Sequence, residues 1–166
     1  MQQYYFKEIP SPVGILRLVA NNNFLVAVQW LPVKDFDENT ILTEDQQHPL
    51  LLKTEQQLNE YFSGKRKVFS IPFQLMGSGF QKKVWELLPD IPYGKTVSYG
   101  EIAKRLGAMQ MVRAVGGALN KNPVPIIVPC HRVVGADGKM VGFGGGVQNK
   151  IYLLNLENPT PQLDLF

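Results

Sequence analysis

The chain changes its character at Met76-Gly77-Ser78-Gly79, and this change constrains the fold more than any other feature. Before it, runs rich in β-branched, aromatic and aliphatic residues (4–6, 14–20 and 24–30) are separated by turn formers, a pattern typical of short strands in a meander. After it, apolar residues recur at helical spacing. The sequence therefore predicts an α/β N-terminal domain, residues 1–77, followed by a mainly α-helical domain, residues 78–157, and a tail, residues 158–166.

The rest of the first domain gives weaker signals. Residues 33–47 are polar and acidic and predict a loop or a frayed helix. Residues 68–75 are a candidate for another strand, interrupted by Pro72. Between them a helix is predicted, with Gly64 as its end. Its inward face is formed by Leu51, Thr54, Leu58, Tyr61 and Phe62.

The second domain reads as a series of helices. One follows Gly79, and others are predicted over 111–120 and 148–157. Ser98 and Glu101 form a capping-box pattern at the start of another helix, which Gly107 stops. The two helices on either side of Gly107 resemble a helix-turn-helix, although on spacing alone any helical hairpin fits equally well.

Composition excludes several classes of protein. Cys130 is the only cysteine, so no disulfide can form within the chain. His48 and His131 are the only histidines, which argues against a zinc site, and no metal or cofactor is expected. Neither a signal peptide nor an apolar run long enough to cross a membrane is present, and we expect a cytoplasmic protein. The net charge of +3 fits a nucleic-acid partner only weakly.

Cys130 and His131 are the candidate pair for chemistry. A histidine can take the proton of a thiol, but adjacent side chains point apart, so the chain must turn sharply there or a water must bridge them. Glu157 lies on the same predicted helix face as Lys150 and two leucines, and an inward carboxylate could orient the histidine. The alternative is that Cys130 is a small buried apolar residue and Glu157 a solvated helix end.

The run NPVPIIVPCHRVV at residues 122–134 closely resembles the active-site motif of the O6-alkylguanine-DNA alkyltransferases. These are also called methylated-DNA–protein-cysteine methyltransferases. The likeness covers nearly all of the C-terminal half in order, including residues 80–81, 84–85, 91–94, 96–99, 113–118, 142–146 and 157. It implies a ribonuclease-H-like N-terminal domain and a winged helix-turn-helix C-terminal domain.

The resemblance also implies a role for each matching residue. Cys130 would accept the alkyl group, His131 would deprotonate it through a water, and Glu157 would orient the histidine. Asn122 would support the cysteine turn. Tyr99 would help to rotate the nucleotide and would donate a proton to the leaving guanine. The walls of the base pocket would be Val134, Phe143 and Gly144.

The predicted helix 111–120 would meet the DNA. By resemblance Arg113 enters the duplex and fills the place of the flipped nucleotide, with Tyr99, Ala114 and Gly117 beside it. Small residues allow close approach to a narrow groove. The alternative for Gly116 and Gly117 is tight packing of one helix on another. The expected function is direct-reversal repair: irreversible, single-turnover transfer from O6-alkylguanine, with O4-alkylthymine as an open second substrate.

Two rival functions stay open on the sequence. One is a non-catalytic protein that binds alkylated lesions, or a winged-helix regulator; its lesion-binding relatives carry tryptophan in place of the cysteine. The other is a cysteine hydrolase using Cys130 and His131. The expected partner is double-stranded DNA with alkylated bases, bound by a monomer without a membrane, on the nucleoid if the source is bacterial.

The tail carries a separate hypothesis. The segment QLDLF at its end resembles the peptide by which bacterial repair proteins dock on the sliding clamp. The alternative is a tail that packs back on the body. The anchoring residues would be Gln162, Leu163, Leu165 and Phe166.

Overall fold

The computed structural model describes residues 2–33, 39–138 and 143–159. The chain divides into two units between Leu75 and Met76, next to the change in sequence pattern. No helix in the described ranges combines the length and the apolar character that crossing a bilayer requires.

The first unit is built on a mixed sheet. Its described strands are β1 (Gln2–Ile9), β2 (Leu16–Ala20), β3 (Leu25–Trp30) and β4 (Thr40–Glu44), in the order β3-β2-β1-β4. The first three form the predicted antiparallel meander. Nearly every residue of β2 and most of β3 are buried, so these strands form the centre of the core.

Helix α1 (Pro49–Phe62) packs against β1 and β2. His48 caps its first turn, because its Nδ1 accepts a hydrogen bond from the backbone N–H of Leu50 at 3.2 Å. Gly64 follows the helix with φ 78°, a left-handed conformation that glycine adopts without a steric penalty. Most of the predicted inward face is observed: Leu51, Thr54, Leu58 and Tyr61 are buried, whereas Phe62 is half-buried.

Two predictions for this unit were wrong. Within residues 33–47, predicted as a loop or frayed helix, Thr40–Glu44 form strand β4, which pairs in parallel with β1. The strand was missed because it is an edge strand with mostly solvent-accessible side chains. Residues 68–75 form no strand and only one isolated bridge, between Leu25 and Phe73. Pro72 has no N–H to continue a ladder.

The second unit is mainly helical. Its helices are α2 (Gly79–Leu87), α3 (Tyr99–Arg105), α4 (Val112–Asn120) and α5 (Val147–Glu157). A two-residue parallel pair joins β5 (Val97–Ser98) to β6 (Val133–Val134). Helix α4 packs on both α2 and α3, and the buried Trp85 of α2 donates its Nε1–H to the carbonyl of Ala118 at 2.8 Å.

Helices α3 and α4 begin and end close to where the sequence predicts. The hydroxyl of Ser98 accepts a hydrogen bond from the N–H of Glu101 at 3.0 Å, which caps α3. Gly107 follows α3 with φ 70°. A 3-10 turn, Met109–Met111, then leads directly into α4. The two helices therefore form a tight hairpin, and α4 begins one residue before Arg113.

Candidate active site

A tightly bonded loop presents Cys130. The side chain of Asn122 donates to the carbonyl of Val128 at 2.8 Å and accepts from the N–H of Val124 at 3.0 Å. The N–H of Val128 also bonds the carbonyl of Val124 at 2.9 Å. Ile126 has φ 74°, a conformation that is strained for a β-branched residue. The surrounding hydrogen bonds hold this strain, so the loop has one defined path to the cysteine.

The sharp turn that the adjacent cysteine and histidine require is a 3-10 turn, Cys130–Arg132. Successive residues in such a turn point about 120° apart. The side chains of Cys130, His131 and Arg132 thus leave the backbone in three directions, and all three are buried. Each can serve a different part of one site.

His131 and Glu157 are in direct contact. The Nε2 atom of His131 lies 2.7 Å from Oε2 of Glu157, and neither side chain is more than 1% exposed. Burial alone would raise the pKa of Glu157, but the hydrogen bonds and charges of His131 and Arg132 outweigh it and lower the pKa to about 2. Glu157 is therefore ionised at neutral pH and can only accept hydrogen bonds.

This carboxylate determines the state of the imidazole. Because ionised Glu157 is an acceptor, Nε2 of His131 carries the hydrogen, and in the neutral ring Nδ1 is then an acceptor. Burial lowers the pKa of His131, against the opposing effect of Glu157, which favours that neutral ring. Among the described protein atoms, Nδ1 has no hydrogen-bond partner. The lone pair of Nδ1 is therefore available to accept a proton.

The thiol of Cys130 is not ionised in the resting protein. Burial raises its pKa to about 11, although the Asn122 side chain, the Lys150 charge and the N–H groups of Cys130 and His131 act in the opposite direction. A thiol in this state is a weak nucleophile. The site therefore needs a base at the moment of reaction, and it already contains groups that stabilise the thiolate once it forms.

Two buried cations border the site, and no catalytic role was predicted for either of them. Lys150 is 1% exposed; its Nζ donates to the carbonyl of Val133 at 2.7 Å and lies 5.8 Å from the ring centroid of Tyr99. Arg132 bonds Glu157 through Nε at 2.8 Å. The signal that could have identified them is a charged residue among apolar residues that are predicted to be buried, because a buried charge must have a partner.

Tyr99 is the first residue of α3 and is half-buried. Burial raises the pKa of Tyr99, and a thiolate on the neighbouring Cys130, once formed, raises it further. Its phenol is therefore protonated at neutral pH and can donate a hydrogen bond or a proton.

Helix α4 exposes the face predicted to meet DNA. Arg113, Ala114 and Gly117 are exposed, whereas Val115 and Ala118 are buried against the unit. A Cβ atom added to Gly116 or Gly117 would meet no atom within 4 Å. Tight helix packing, the alternative explanation for these glycines, is therefore wrong.

The remaining predicted site residues are only partly placed. Val134 is buried in β6, Phe143 is half-buried and Gly144 is exposed. A Cβ on Gly144 would lie 3.0 Å from the carbonyl oxygen of Asn120, so this position is closely apposed to the end of α4.

The predicted clamp-binding residues Gln162, Leu163, Leu165 and Phe166 lie outside the described residues. Within those residues, no three of the His, Cys, Asp and Glu side chains are grouped to hold a metal ion.

Comparison with known proteins agrees with this geometry. Residues 79–159 match the family described as the 6-O-methylguanine DNA methyltransferase, DNA binding domain. Residues 4–75 match the 6-O-methylguanine DNA methyltransferase, ribonuclease-like domain. Together the two matches cover nearly the whole chain, and the buried Cys130, His131 and Glu157 lie within the DNA binding domain match.

Individual relatives are similar over nearly their full length. The chain is 42% identical to a methylated-DNA–protein-cysteine methyltransferase of Mycobacterium bovis, over 97% of this chain and 96% of that protein. It is 40% identical to the constitutive enzyme of that name from Bacillus subtilis, over 92% and 94%. A crystal structure of Mycobacterium tuberculosis OGT in complex with DNA superposes with a TM-score of 0.85, at 42% identity over 95% of this chain and 93% of that one. The chain belongs to the 6-O-methylguanine DNA methyltransferase family, as the resemblance predicted.

Proposed function

We propose that this protein repairs DNA by direct reversal, moving the alkyl group of an O6-alkylguanine irreversibly onto the sulfur of Cys130. The observation that carries the proposal is the buried contact of His131 with Glu157, one residue from the only cysteine of the chain. A histidine held by a carboxylate beside a thiol is the arrangement that nucleophilic cysteine chemistry needs. The similar proteins of Mycobacterium bovis and Bacillus subtilis are named methylated-DNA–protein-cysteine methyltransferases.

The chemical step uses the groups described above. The thiol proton of Cys130 passes to Nδ1 of His131 through a water, and Glu157 stabilises the resulting imidazolium. The sulfur attacks the alkyl carbon, the bond from that carbon to O6 breaks, and Tyr99 gives a proton to the departing guanine. The proton on His131 then returns through solvent to the Tyr99 phenolate. The product is a thioether, so each molecule acts once.

The substrate must be brought out of the duplex before this step. A base inside the helix cannot reach a buried thiol, and its extrusion costs a few kcal/mol. The exposed side chain of Arg113 is suited to fill the gap, because its guanidinium can stack and donate hydrogen bonds. Ala114 and Gly117 on the same face permit close approach of the helix to the groove. Val134, Phe143 and Gly144 are proposed to contact the flipped base.

The finer assignments follow from the same family. We assign residues 1–77 as a ribonuclease-H-like domain with a structural role and residues 78–157 as a winged helix-turn-helix domain that binds DNA and carries the acceptor. We infer that a monomer acts on double-stranded DNA in the cytoplasm, on the nucleoid if the cell is bacterial. O4-alkylthymine is a second candidate substrate.

The tail 158–166 is proposed to act separately from this chemistry, as a peptide that docks on a sliding clamp. Deletion of residues 162–166 tests this idea. The truncated protein is expected to lose clamp binding and to keep the full rate of alkyl transfer. Equal affinity of the full and truncated proteins for the clamp would exclude the docking role.

The stoichiometry of repair tests the main proposal. With duplex O6-methylguanine in excess, repaired guanine is expected to rise to an amount equal to that of the protein and then stop. Cys130→Ser is expected to repair nothing while still binding the lesion. Continued turnover would indicate a true catalyst such as a hydrolase, and binding without any repair by the wild type would indicate a lesion-binding protein.

A further inference from the structure

Arg132 is a buried cation, next to His131 in the chain, that uses all three of its guanidinium nitrogens. Nε donates to Oε1 of Glu157 at 2.8 Å, and Nη2 donates to Oε2 of the same carboxylate at 3.1 Å. Nη1 donates to the carbonyl of Ile91 at 2.7 Å. Two parallel bonds to one carboxylate fix its plane as well as its position.

The two carboxylate oxygens therefore have different neighbours. Oε2 of Glu157 accepts from both His131 and Arg132. Oε1 accepts from Arg132, with the N–H of Gly94 at 3.4 Å. Because the fork of Arg132 spans both oxygens, the carboxylate cannot rotate about its terminal bond without breaking a charged hydrogen bond. Oε2 thus stays directed at Nε2 of the histidine.

The turn that follows α2 completes this clamp from the other side. The guanidinium carbon of Arg132 lies 5.7 Å from the ring centroid of Tyr93, within the range of a cation–π contact. Gly94 has φ 79°, and a Cβ there would lie 3.1 Å from the carbonyl oxygen of Glu157. This close approach and this backbone conformation both require glycine. The turn, Arg132 and the C-terminal end of α5 therefore pack together around the carboxylate.

We propose that Arg132 is a positioning residue for alkyl transfer: it holds Glu157 ionised and turned towards Nε2 of His131, which leaves Nδ1 as the ring atom that accepts the thiol proton. This inference rests on the proposed roles of His131 and Glu157. Arg132 does not touch the alkyl group or the sulfur in this scheme. It acts through the carboxylate that it holds and through the effect of its own charge on His131.

The charges around His131 give this role its electrostatic basis. Glu157 and Lys150 of α5 and Arg132 of the same 3-10 turn are the charged groups that affect its titration. Burial is the largest effect and lowers the pKa of His131; Glu157 raises it, and Arg132 and Lys150 lower it. Without Arg132, the buried carboxylate would act on the imidazole uncompensated. The pKa of His131 would then be higher, and a smaller fraction of the histidine would be neutral and able to accept the thiol proton.

A purely structural role makes a different prediction. If Arg132 only tied α5 to the turn at Ile91, its loss would lower stability and reduce the transfer rate by the same factor at every pH. If it positions the relay, its loss must also change the titration of His131 and move the acidic limb of the rate profile with it. The two roles are therefore separable by pH.

The chain allows a direct measurement, because His48 and His131 are its only histidines. In a His48→Asn background, which keeps a capping side chain before α1, the imidazole NMR signals report His131 alone. The titration and tautomer of His131 would be followed with Arg132, Arg132→Lys and Arg132→Gln. The single-turnover rate of methyl transfer would be measured over the same pH range. Arg105→Gln is the matched control, since it removes an exposed arginine from a glutamate of the same unit.

In the protein with Arg132 we expect a neutral Nε2–H imidazole at neutral pH. In Arg132→Gln the pKa of His131 should rise, the acidic limb should shift to higher pH by the same amount, and the rate near neutral pH should fall about tenfold or more. Arg132→Lys keeps the charge but not the fork, and should recover part of that rate. Arg105→Gln should behave as the wild type.

A folded Arg132→Gln variant with an unchanged His131 titration would overturn the inference, whether or not its rate falls. If that variant does not fold, Arg132→Lys decides: a wild-type rate and profile would show that the fork is not needed, and a reduced rate with an altered His131 tautomer would support it. If the wild type itself fails to methylate Cys130, the proposed function fails. The His131 titration still tests whether Arg132 controls the histidine.

Discussion

The Nε2 atom of His131 and the Oε2 atom of Glu157 lie 2.7 Å apart in an interior closed to solvent, although 26 residues separate them in the chain. Helix α5 brings the carboxylate to the 3-10 turn, where His131 and Arg132 keep it ionised at neutral pH. The histidine is consequently presented to the cysteine as a base of fixed tautomer. The reactivity of Cys130 depends on this relationship, because burial keeps its own proton in place.

Glu157→Gln should lower the rate of methyl transfer by about 10²-fold or more, the size of effect expected when a general base loses its orientation and charge partner. The glutamine is nearly the same size but offers an N–H as well as an oxygen, so it no longer imposes one tautomer on His131. Single-turnover repair of a lesion duplex measures the change. Glu101→Gln, which alters an exposed carboxylate in α3, is the control and should keep the wild-type rate. A wild-type rate in Glu157→Gln would remove the carboxylate from the mechanism.

The stability of the second unit should decrease as the pH falls from about 7.5 to about 5.5, where an unfolded histidine takes up a proton. Folding lowers the pKa of His131 below its ordinary value of 6.5. The unfolded chain therefore binds a proton in this pH range that the folded protein does not bind. Glu157, with its pKa lowered from 4.5 to about 2, extends the loss below pH 4.5. In both cases the stabilisation is present above the unfolded pKa and disappears below it.

Urea unfolding followed by the fluorescence of Trp85 measures this effect, in a Trp30→Phe variant that leaves no other tryptophan. His131→Gln should remove most of the change in the free energy of unfolding between about pH 7.5 and about pH 5.5. His48→Asn should leave it intact. If the stability of the second unit is the same at both pH values, the buried neutral state of His131 is incorrect.

Gly117→Leu should separate DNA binding from chemistry. The position is exposed and a Cβ meets no neighbour, so the fold accepts a side chain there. Replacing a mid-helix glycine should even add about 0.5–1 kcal/mol of stability. The larger residue should nevertheless prevent the close approach of α4 to the groove and weaken duplex binding strongly.

Thermal unfolding, duplex affinity and the reaction of Cys130 with a free O6-alkylguanine base give three independent readings of this variant. We expect a stable protein, poor affinity for duplex and an unchanged reaction with the free base. Wild-type affinity for duplex would show that this face of α4 does not contact DNA.

Local sequence patterns predicted the helices and turns that are determined by residues close to them in the chain. Ser98, Gly107 and the apolar face of α1 lie within a turn or two of what they determine, and the sheet followed by helices was confirmed in outline. The sequence also led to the correct family. Strand β4 was missed because only its pairing with β1, far away in the chain, makes its polar residues a strand.

The site could be predicted in identity but not in arrangement. The motif around Cys130 pointed to His131 and Glu157, but not to the buried fork of Arg132 across the same carboxylate. That contact joins residues 25 positions apart, and its geometry depends on how α5 packs against the 3-10 turn. The same holds for Lys150, whose partner is a backbone carbonyl of β6. Such contacts arise from tertiary packing and leave no periodic signal in the sequence.

The most direct test of the central claim is to locate the transferred group. After incubation with duplex O6-methylguanine, trypsin releases a peptide of residues 122–132, which contains Cys130. The account predicts that this peptide gains the mass of one methyl group in place of one hydrogen, with fragmentation that places it on the sulfur, and that Cys130→Ser gains nothing. Repair of the DNA with an unmodified Cys130 peptide, or a methyl group on any other residue, would contradict it.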